Sequence, residues 1–455
     1  MTRQAEGEEY WLKYLSDIPT NYKCAVGLIL GQVVSQKYHV FHFAKTPPFQ
    51  TDEDKAAGKP LVTMKNILEI NDSFVADHAL QATRMLPGGM HVLGVFVVSD
   101  EEILNPFNSK LRTLLTTVNK TLGNQNYLFG NCGSEKLIFH YSGKTKRYLA
   151  KSYNVASSSI TPVDFKFLPK INNWLNFEFK YVIDYLYFIS GNNYEGPLNR
   201  HIKIILDNIN KKLQKYFFLF NDEFKESDER IESINKKKKI PRGSSKRNID
   251  NNAEEKPVQV SIYEDTYSME IPDKIETEKV MGQIRIIGEV ASKLWLNPKT
   301  TISEVEQAIK EDIMRSLSGR VDMHWDSLTD EELGENINTV HEPPRRMLIT
   351  LPDSNISISD YLFPGEGAED VKTSLEELLD IKAGNELEVL DLEGQADISQ
   401  YYQETSSPEA ECDTLIPQVS TNISSHKYLI GVGTGFLILV ISIILHIFLK
   451  GDNVK

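Results

Sequence analysis

Two spacings of apolar residues alternate along the first 381 positions of the chain, and together they predict a mixture of strands and helices. Short apolar runs, or strict alternation with polar residues, indicate strands, whereas apolar residues three and four apart indicate a helix that packs on a core. The first pattern predicts strands at 23–32, 38–45, 90–98, 136–141, 148–155, 177–181, 282–295, 346–351 and 356–361. The second pattern predicts helices at 73–86, 106–123, 199–220, 301–317 and 371–381. The sequence therefore favours an α+β fold.

Local signals refine several of these elements. A polar break at Ser35–Lys37 between two apolar runs predicts a β-hairpin. Asp72 is expected to cap the helix that begins at Ser73. Thr301 and Glu304 have the spacing of a capping box, in which each residue satisfies a backbone N–H of the other.

One apolar run, Tyr428–Leu449, is far longer than the others and has 22 residues without a charge. As a helix it would extend about 33 Å, enough to cross a hydrocarbon layer of about 30 Å. We therefore predict a single transmembrane helix. Gly431 and Gly435 form a GxxxG pattern inside it, and two interpretations stay open: a face for helix packing, or the ordinary abundance of glycine in such helices.

The position of this run predicts the topology. Residues 450–455 follow it, and the first residues contain no apolar core of the kind found in signal peptides. We expect a tail-anchored, single-pass protein whose N-terminus lies in the cytosol and whose residues 450–455 form a short lumenal tail.

Charge is distributed unevenly. The net charge is −14, but residues 365–413 alone contain 15 acidic and two basic residues, a local charge of −13. We interpret 365–427 as an acidic helix followed by a flexible stalk. Residues 221–257 are charged and poor in apolar residues, so they are expected to be a disordered linker. Its basic run Lys236–Lys239 is open to three interpretations: nuclear import, binding of anionic lipid, or a solvated linker.

The remaining segments, 1–220 and 258–364, are expected to be two folded regions, and the sequence does not decide whether they share a sheet. An acidic chain without a concentrated basic surface argues against nucleic-acid binding. The three cysteines, Cys24, Cys132 and Cys412, are too scattered for a disulfide framework or a structural zinc site. We interpret Cys24 as an inert buried thiol in a reducing compartment.

Compact catalytic signatures are absent from the sequence. It contains no dinucleotide-binding GxGxxG after a strand, no phosphate-binding P-loop, no GxSxG elbow and no HExxH pair. We expect no cofactor and no enzymatic activity, although a catalytic site dispersed along the chain stays open as an alternative.

The hairpin with Gly27 and Gly31, the following helix and the strand around Gly94 resemble the MPN/JAB1 domain, in which a histidine-containing strand motif builds a zinc-protease site. In this chain Val97 and Ser99 occupy the two histidine positions. Valine cannot ligate zinc, and one serine does not replace an imidazole. The resemblance therefore implies a catalytically inactive MPN/JAB1-like domain at 1–220, without a metal.

A second resemblance covers both folded regions and the tail, and it is to the odorant-response-abnormal family, in particular its fourth-numbered member. The residues that carry it are Gly27–Gln32, Ser35–Lys37, Thr46–Pro48, His78–Ala79, Arg84–Gly89, Pro344–Arg346, Leu351–Pro352, Asp360–Tyr361 and the C-terminal anchor. Two blocks within this set, Arg84–Gly89 and Pro344–Tyr361, are specific in combination.

This family resemblance implies a tail-anchored adaptor in the endoplasmic-reticulum membrane that supports folding, trafficking and localisation of multi-pass receptors, odorant receptors among them. It also implies a heterodimer, through MPN-like domains, with the cysteine protease specific for the ubiquitin-fold modifier, which the adaptor would recruit to the membrane. Two other classes remain as alternatives: a membrane-anchored hydrolase, and a tail-anchored fusion factor. The latter needs apolar heptads leading into the anchor, and residues 394–421 lack them.

Overall fold

The described part of the computed structural model contains six α-helices and three β-sheets. The residues it describes are 3–18, 23–50, 64–100, 108–125, 127–128, 133–169, 174–191, 197–234, 256–264, 279–328, 340–351, 354, 356–382 and 387–394. Their α-helices are α1 (Tyr10–Asp17), α2 (Asp72–Met85), α3 (Asn108–Gly123), α4 (Leu198–Leu213), α5 (Ile302–Ser327) and α6 (Ala368–Leu379).

The strands belong to three sheets. The strands of the first sheet are β1 (Arg3–Glu8), β2 (Cys24–Val34), β3 (Lys37–Lys45), β4 (His91–Ser99), β5 (Glu135–Ser142), β6 (Tyr148–Asn154) and β7 (Ser159–Leu168). Those of the other two sheets are β8 (Leu175–Ser190), β9 (Phe217–Phe220), β10 (Val258–Tyr263), β11 (Val280–Leu296), β12 (Arg345–Thr350), β13 (Ser357–Leu362) and β14 (Val389–Leu390).

The first sheet closes into a barrel with the strand order β1-β3-β2-β4-β5-β6-β7, in which β7 pairs back onto β1. Aromatic side chains from four strands fill its interior, including Phe43, Phe96, Phe139 and Phe165. Strands β2 and β4 are buried on both faces, because α2 and α3 cover the side that points away from the barrel interior.

The second sheet has the order β11-β8-β10-β9, and α4 and α5 pack with it around a separate core. The third sheet, with the order β13-β12-β14, shares the core that α2 and α3 form against the barrel. Helix α6 completes this shared core with Val371, Leu375 and Leu379.

Most of the predicted elements are present. Ser35 and Gln36 adopt positive φ in the turn of the predicted hairpin, and β2 pairs with β3 on either side of it. The predicted capping box of Thr301 and Glu304 begins α5. The predicted cap of α2 was wrong: the side chain of Asn71, one residue before Asp72, accepts the N–H of Phe74 and starts the helix.

The predicted helix at 199–220 ends at Leu213, and its last residues form β9. The sequence there, Phe217–Phe220, is apolar throughout, so it can lie in a buried strand as well as on a helix face. In the structure β9 pairs with β10 and places Phe218 and Phe220 in the second core.

The predicted domain boundaries at 220 and 364 do not separate folded units. Strand β8 comes from the first predicted region and pairs with β10 and β11 from the second, so the two regions share one sheet. Residues 221–234 are also part of the folded body, because Ile231 is fully buried and its N–H donates to the carbonyl of Thr300 at 3.0 Å. The acidic helix belongs to the body too, through its three core residues.

Several predictions lie outside the described residues: the rest of the linker at 235–255, the stalk beyond 394, and the anchor with Tyr428, Gly431, Gly435 and Leu449. Among the helices that the structure does describe, none has the length and apolar character needed to cross a membrane.

Candidate functional site

The two residues at the histidine positions of the MPN/JAB1 motif, Val97 and Ser99, lie two residues apart on β4. Val97 and Ser99 are both buried, and Val97 packs in the core that α2 and α3 cover. Across the sheet, Val97 pairs with Val26 and Ser99 pairs with Cys24 of β2. Cys24 is buried, as predicted. Among the described residues no group of three histidine, cysteine or acidic side chains is arranged to hold a metal ion.

One polar contact at this position was not anticipated from the sequence. The Ser99 hydroxyl lies 3.2 Å from Nε2 of His140 on the neighbouring parallel strand β5. Burial lowers the pKa of His140 to about 4, so the imidazole is neutral at pH 7. A hydroxyl beside a neutral imidazole supplies two of the three members of a nucleophilic triad, the nucleophile and the base. In the part of the chain that the structure describes, no carboxylate hydrogen-bonds the ring of His140 to orient it.

A cavity of about 250 Å³ opens next to Cys24, between the end of the β2–β3 hairpin and the start of α2. Phe49 and Phe74 line the cavity and contact each other edge to face, with their ring centroids 5.1 Å apart. Its polar lining residues are Lys45, Thr46, Glu69 and the capping residue Asn71. A pocket of this size, with a mainly apolar lining, suits a single side chain or a small apolar group.

The two sequence blocks that carry the family resemblance meet in the interior, on α5. Asp312 is fully buried, and its carboxylate accepts the backbone N–H of Gly88 at 2.8 Å. The guanidinium of Arg346 forms a two-pronged ion pair with the same carboxylate, at 2.7 and 2.9 Å. Asp312 thereby joins the Arg84–Gly89 block to the Pro344–Tyr361 block.

A second buried charge on α5 holds the other side of the Arg84–Gly89 block. The guanidinium of Arg315 donates to the carbonyls of Leu86 at 2.8 Å and Pro87 at 2.9 Å, and also to the carbonyl of Leu128 at 2.9 Å. Gly88 must be glycine, since a Cβ there would lie 2.0 Å from the carbonyl oxygen of Ala308 on α5. The block therefore lies directly against the helix backbone.

We call Gly88, Asp312, Arg315 and Arg346 the buried junction. Burial by itself would raise the pKa of Asp312, but the charge and hydrogen bonds of Arg346 outweigh it and lower the pKa below its ordinary value. Burial likewise opposes the charge of Arg346, and Asp312 raises the pKa of that guanidinium. Both groups are thus ionised at pH 7, and each needs the other because an unpaired buried charge is costly.

The sequence did not reveal Asp312 and Arg315 as important residues. One signal was available: Asp312 lies three residues after Ile309 and one before Ile313, within the apolar stripe of α5. A charge on an apolar stripe requires a buried partner. The partner itself could not be named, because Arg346 is 34 residues away in the sequence.

The C-terminal end of α6 is held by two histidines from different elements. Nε2 of His42, on β3, lies 2.8 Å from the carbonyl of Leu379, and Nε2 of His78, on α2, lies 2.7 Å from the carbonyl of Leu378. Each ring donates a hydrogen bond to a carbonyl that has no partner within the helix. The next residue, Asp380, accepts a hydrogen bond from Lys45 at 2.9 Å. These contacts close α6 onto the barrel.

We predict that Asp312→Asn lowers the free energy of unfolding by about 3–5 kcal/mol, since it leaves Arg346 buried without its counter-charge. Asp184→Asn is the matched control, because Asp184 makes the same two-pronged contact with an arginine at the surface. It should hardly change the urea midpoint. Equal effects of the two substitutions, measured on the full-length chain in detergent, would contradict the assigned role of the junction.

Stability should also fall with acidification. Burial lowers the pKa of His42 to about 4 and also lowers that of His78. At a pH between the ordinary pKa of about 6.5 and this lowered value, the unfolded chain binds more protons than the folded chain. The contribution of the two histidines to the free energy of unfolding is therefore complete above about pH 6.5 and declines as the pH falls. From pH 7 to 5 the loss for His42 is about 2 kcal/mol. His42→Gln, which keeps an N–H donor, should flatten this dependence in urea titrations, and an unchanged slope would refute the assignment.

Comparison with known proteins agrees with the resemblance found in the sequence. Residues 27–388 match the family model described as odorant response abnormal 4-like. Protein odr-4 homolog of Homo sapiens is 28% identical over 384 residues, which cover 82% of this chain and 82% of that protein. Odorant response abnormal protein 4 of Caenorhabditis elegans is 24% identical over 405 residues, which cover 85% of this chain and 77% of that protein.

Two solved structures are more distantly similar. The crystal structure of UfSP from C. elegans has 8% identity and a TM-score of 0.44, and the match covers 84% of this chain but only 57% of that one. The solution structure of protein DSY2949 from Desulfitobacterium hafniense has 11% identity and a TM-score of 0.22 over 37% of this chain. The family model covers most of the chain and contains the buried junction, and the chain belongs to the odorant response abnormal 4-like family.

Proposed function

We propose that this chain is a membrane-anchored adaptor of the endoplasmic reticulum that supports folding, trafficking and localisation of multi-pass receptors. In the same proposal it recruits the ubiquitin-fold-modifier-specific cysteine protease to the membrane. Its folded body provides binding surfaces rather than a reaction centre. Family membership supports the receptor part, since the relatives are named for an odorant-response defect.

The observation that carries this proposal is where the chain places its most distinctive residues. Arg346 and the loop at Gly88, which lie in the two family blocks, are buried in an ion-pair junction and take no part in an exposed polar site. Residues used in this way stabilise a scaffold. In this proposal the surface of the folded body binds the partners.

The barrel supports the same interpretation. If it is an MPN-like domain, its metal-ligand positions hold Val97 and Ser99, which cannot form a zinc site. Such a domain is suited to pairing with a related domain in another protein, and the protease carries an MPN-like region by the family resemblance. The apolar cavity beside Cys24 is a place where one side chain of a partner could insert.

The predicted anchor, Tyr428–Leu449, would supply location. A binding surface held at the membrane raises the effective concentration of its partners there, which favours assemblies that are weak in solution. The adaptor proposal therefore requires both the folded body and the span.

Deletion of Tyr428–Leu449 should release the protease from the reticulum and leave receptors poorly delivered, because the body then diffuses freely. As the matched control, an unrelated reticulum tail anchor of similar length replaces Tyr428–Leu449 and should restore both. The measurement is imaging of the tagged protease together with surface labelling of a receptor. Retention of the protease at the reticulum together with normal surface delivery of the receptor, without any anchor, would refute the proposal.

A hydrolase is the second candidate, and the contact between Ser99 and His140 is the observation in its favour. The adaptor proposal predicts that Ser99→Ala leaves protease recruitment and receptor delivery unchanged, whereas a serine hydrolase would lose its function. Ser142→Ala, at a buried serine of the neighbouring strand β5, controls for a loss of stability. Loss of receptor delivery with Ser99→Ala alone, at an unchanged unfolding midpoint, would favour the hydrolase.

A further inference from the structure

A two-stranded ribbon extends from the second sheet. Strands β8 and β11 pair along their full length, from the pair Leu175–Leu296 to the pair Ser190–Val280. Strand β10 accompanies β8 only at Phe177–Phe179. The ribbon is therefore the part of these two strands beyond Phe179, residues 180–190 and 280–291. In the part of the chain that the structure describes, no strand pairs with the outer edge of β11.

The direction of the backbone groups on this edge follows from one contact. The N–H of Ala291 donates to the carboxylate of Glu393 at 3.1 Å, so it points away from β8. Residues two apart in a strand direct their N–H and C=O groups to the same side. Because the register with β8 is continuous from Gly282 to Leu296, Arg285, Ile287 and Glu289 also direct theirs outward.

The exposed face of the ribbon alternates apolar and charged side chains. Val182, Leu186, Phe188 and Ile287 are between 41% and 72% exposed. Between them, Arg285 pairs with Asp184 at 2.8 Å and Lys180 with Glu289 at 3.0 Å. The charges on this face are balanced, and the apolar groups are too exposed for a surface that only meets water.

We propose that a second copy of this chain pairs with the edge of β11, antiparallel, with Ile287 opposite the partner's Ile287 on a two-fold axis. In this register Arg285 lies opposite the partner's Glu289, and the reciprocal pair forms on the other side of the axis. The four β-strands nearest the axis then form one continuous sheet across the two chains, in which each Arg285 lies between Asp184 of its own chain and the partner's Glu289.

Charge selects this register over its neighbours. Residues with outward-directed backbone groups must lie opposite one another, so the axis can pass through any residue from Arg285 to Glu289. Centring on Ile286 or Gly288 places Arg285 opposite the partner's Ile287 or the partner's Ala291, and no opposite charges then face each other. Centring on Arg285 opposes two arginines, and centring on Glu289 opposes two glutamates, and like charges directly opposite are unfavourable. Edge strands are commonly protected by charge. In the register centred on Ile287, however, Arg285 of each chain lies opposite the partner's Glu289, and the two charges attract each other.

The pairing is expected to be short and weak in solution. It ends at Ala291, where Glu393 already occupies the edge. A contact of this length buries less surface than the roughly 1,000 Å² of a stable interface. Confinement of both copies to one membrane would compensate, by raising the effective concentration.

Cysteine cross-linking of the full-length chain in its native membrane tests the proposal. Ile287→Cys places two thiols on the axis, at a backbone separation of about 5.5 Å, which a disulfide can bridge. Mild oxidation should give a covalent dimer at least about ten-fold above the parent chain, which controls for native cysteines. Gln283→Cys lies on the same face but far from the partner's Gln283, and it should remain monomeric. Equal yields at the two positions, or capture of a different protein by Ile287→Cys, would overturn the proposal.

Charge reversal gives a second, independent test in the Ile287→Cys background. Arg285→Glu opposes two glutamates on each side of the axis, and Glu289→Arg opposes two arginines, so either change should reduce the dimer about ten-fold. The double exchange, Arg285→Glu with Glu289→Arg, restores opposite charges across the axis, and adding Asp184→Arg and Lys180→Glu keeps opposite charges in the pairs within each chain. This combined variant should recover most of the yield. A combined variant no better than the single ones would show that this register does not form.

Discussion

A single buried carboxylate, that of Asp312, sets the arrangement of the rest of this molecule. A charge in the interior is tolerated only when its hydrogen-bonding capacity is satisfied by partners that are themselves fixed in place. Asp312 obtains one partner from the backbone before the barrel strand β4 and the other from strand β12 of the third sheet. The barrel, the long helix α5 and the third sheet are therefore held by one group. This requirement joins parts of the described chain that are far apart in sequence.

Elements that depend on neighbouring residues could be predicted from the sequence, and those that depend on distant partners could not. The hairpin turn at Ser35 and the capping box at Thr301 are local, so their residues alone specify them. Helix α6 was predicted, but its place in the fold was not. Its many acids suggested a solvated stalk, and its three core residues, Val371, Leu375 and Leu379, gain partners only from strands and helices far away in the chain.

The candidate site divides in the same way. That Val97 and Ser99 cannot act as a pair of zinc-binding histidines can be read directly from the sequence. The approach of Ser99 to His140 depends on parallel pairing between β4 and β5, which no local pattern encodes. The family blocks were recognised as sequence signals before their physical role was known. In the structure one block places Gly88 against α5 and the other supplies Arg346, which neutralises Asp312.

The buried junction, the edge strand β11 and the predicted membrane span are the features on which the adaptor proposal rests. The most direct measurement is affinity capture of the tagged full-length chain from mild detergent, with quantitative mass spectrometry of what is recovered. The adaptor account predicts recovery of the ubiquitin-fold-modifier-specific protease far above an unrelated tail-anchored control. Reproducible absence of that protease, with the tagged chain intact and folded, would contradict its recruitment.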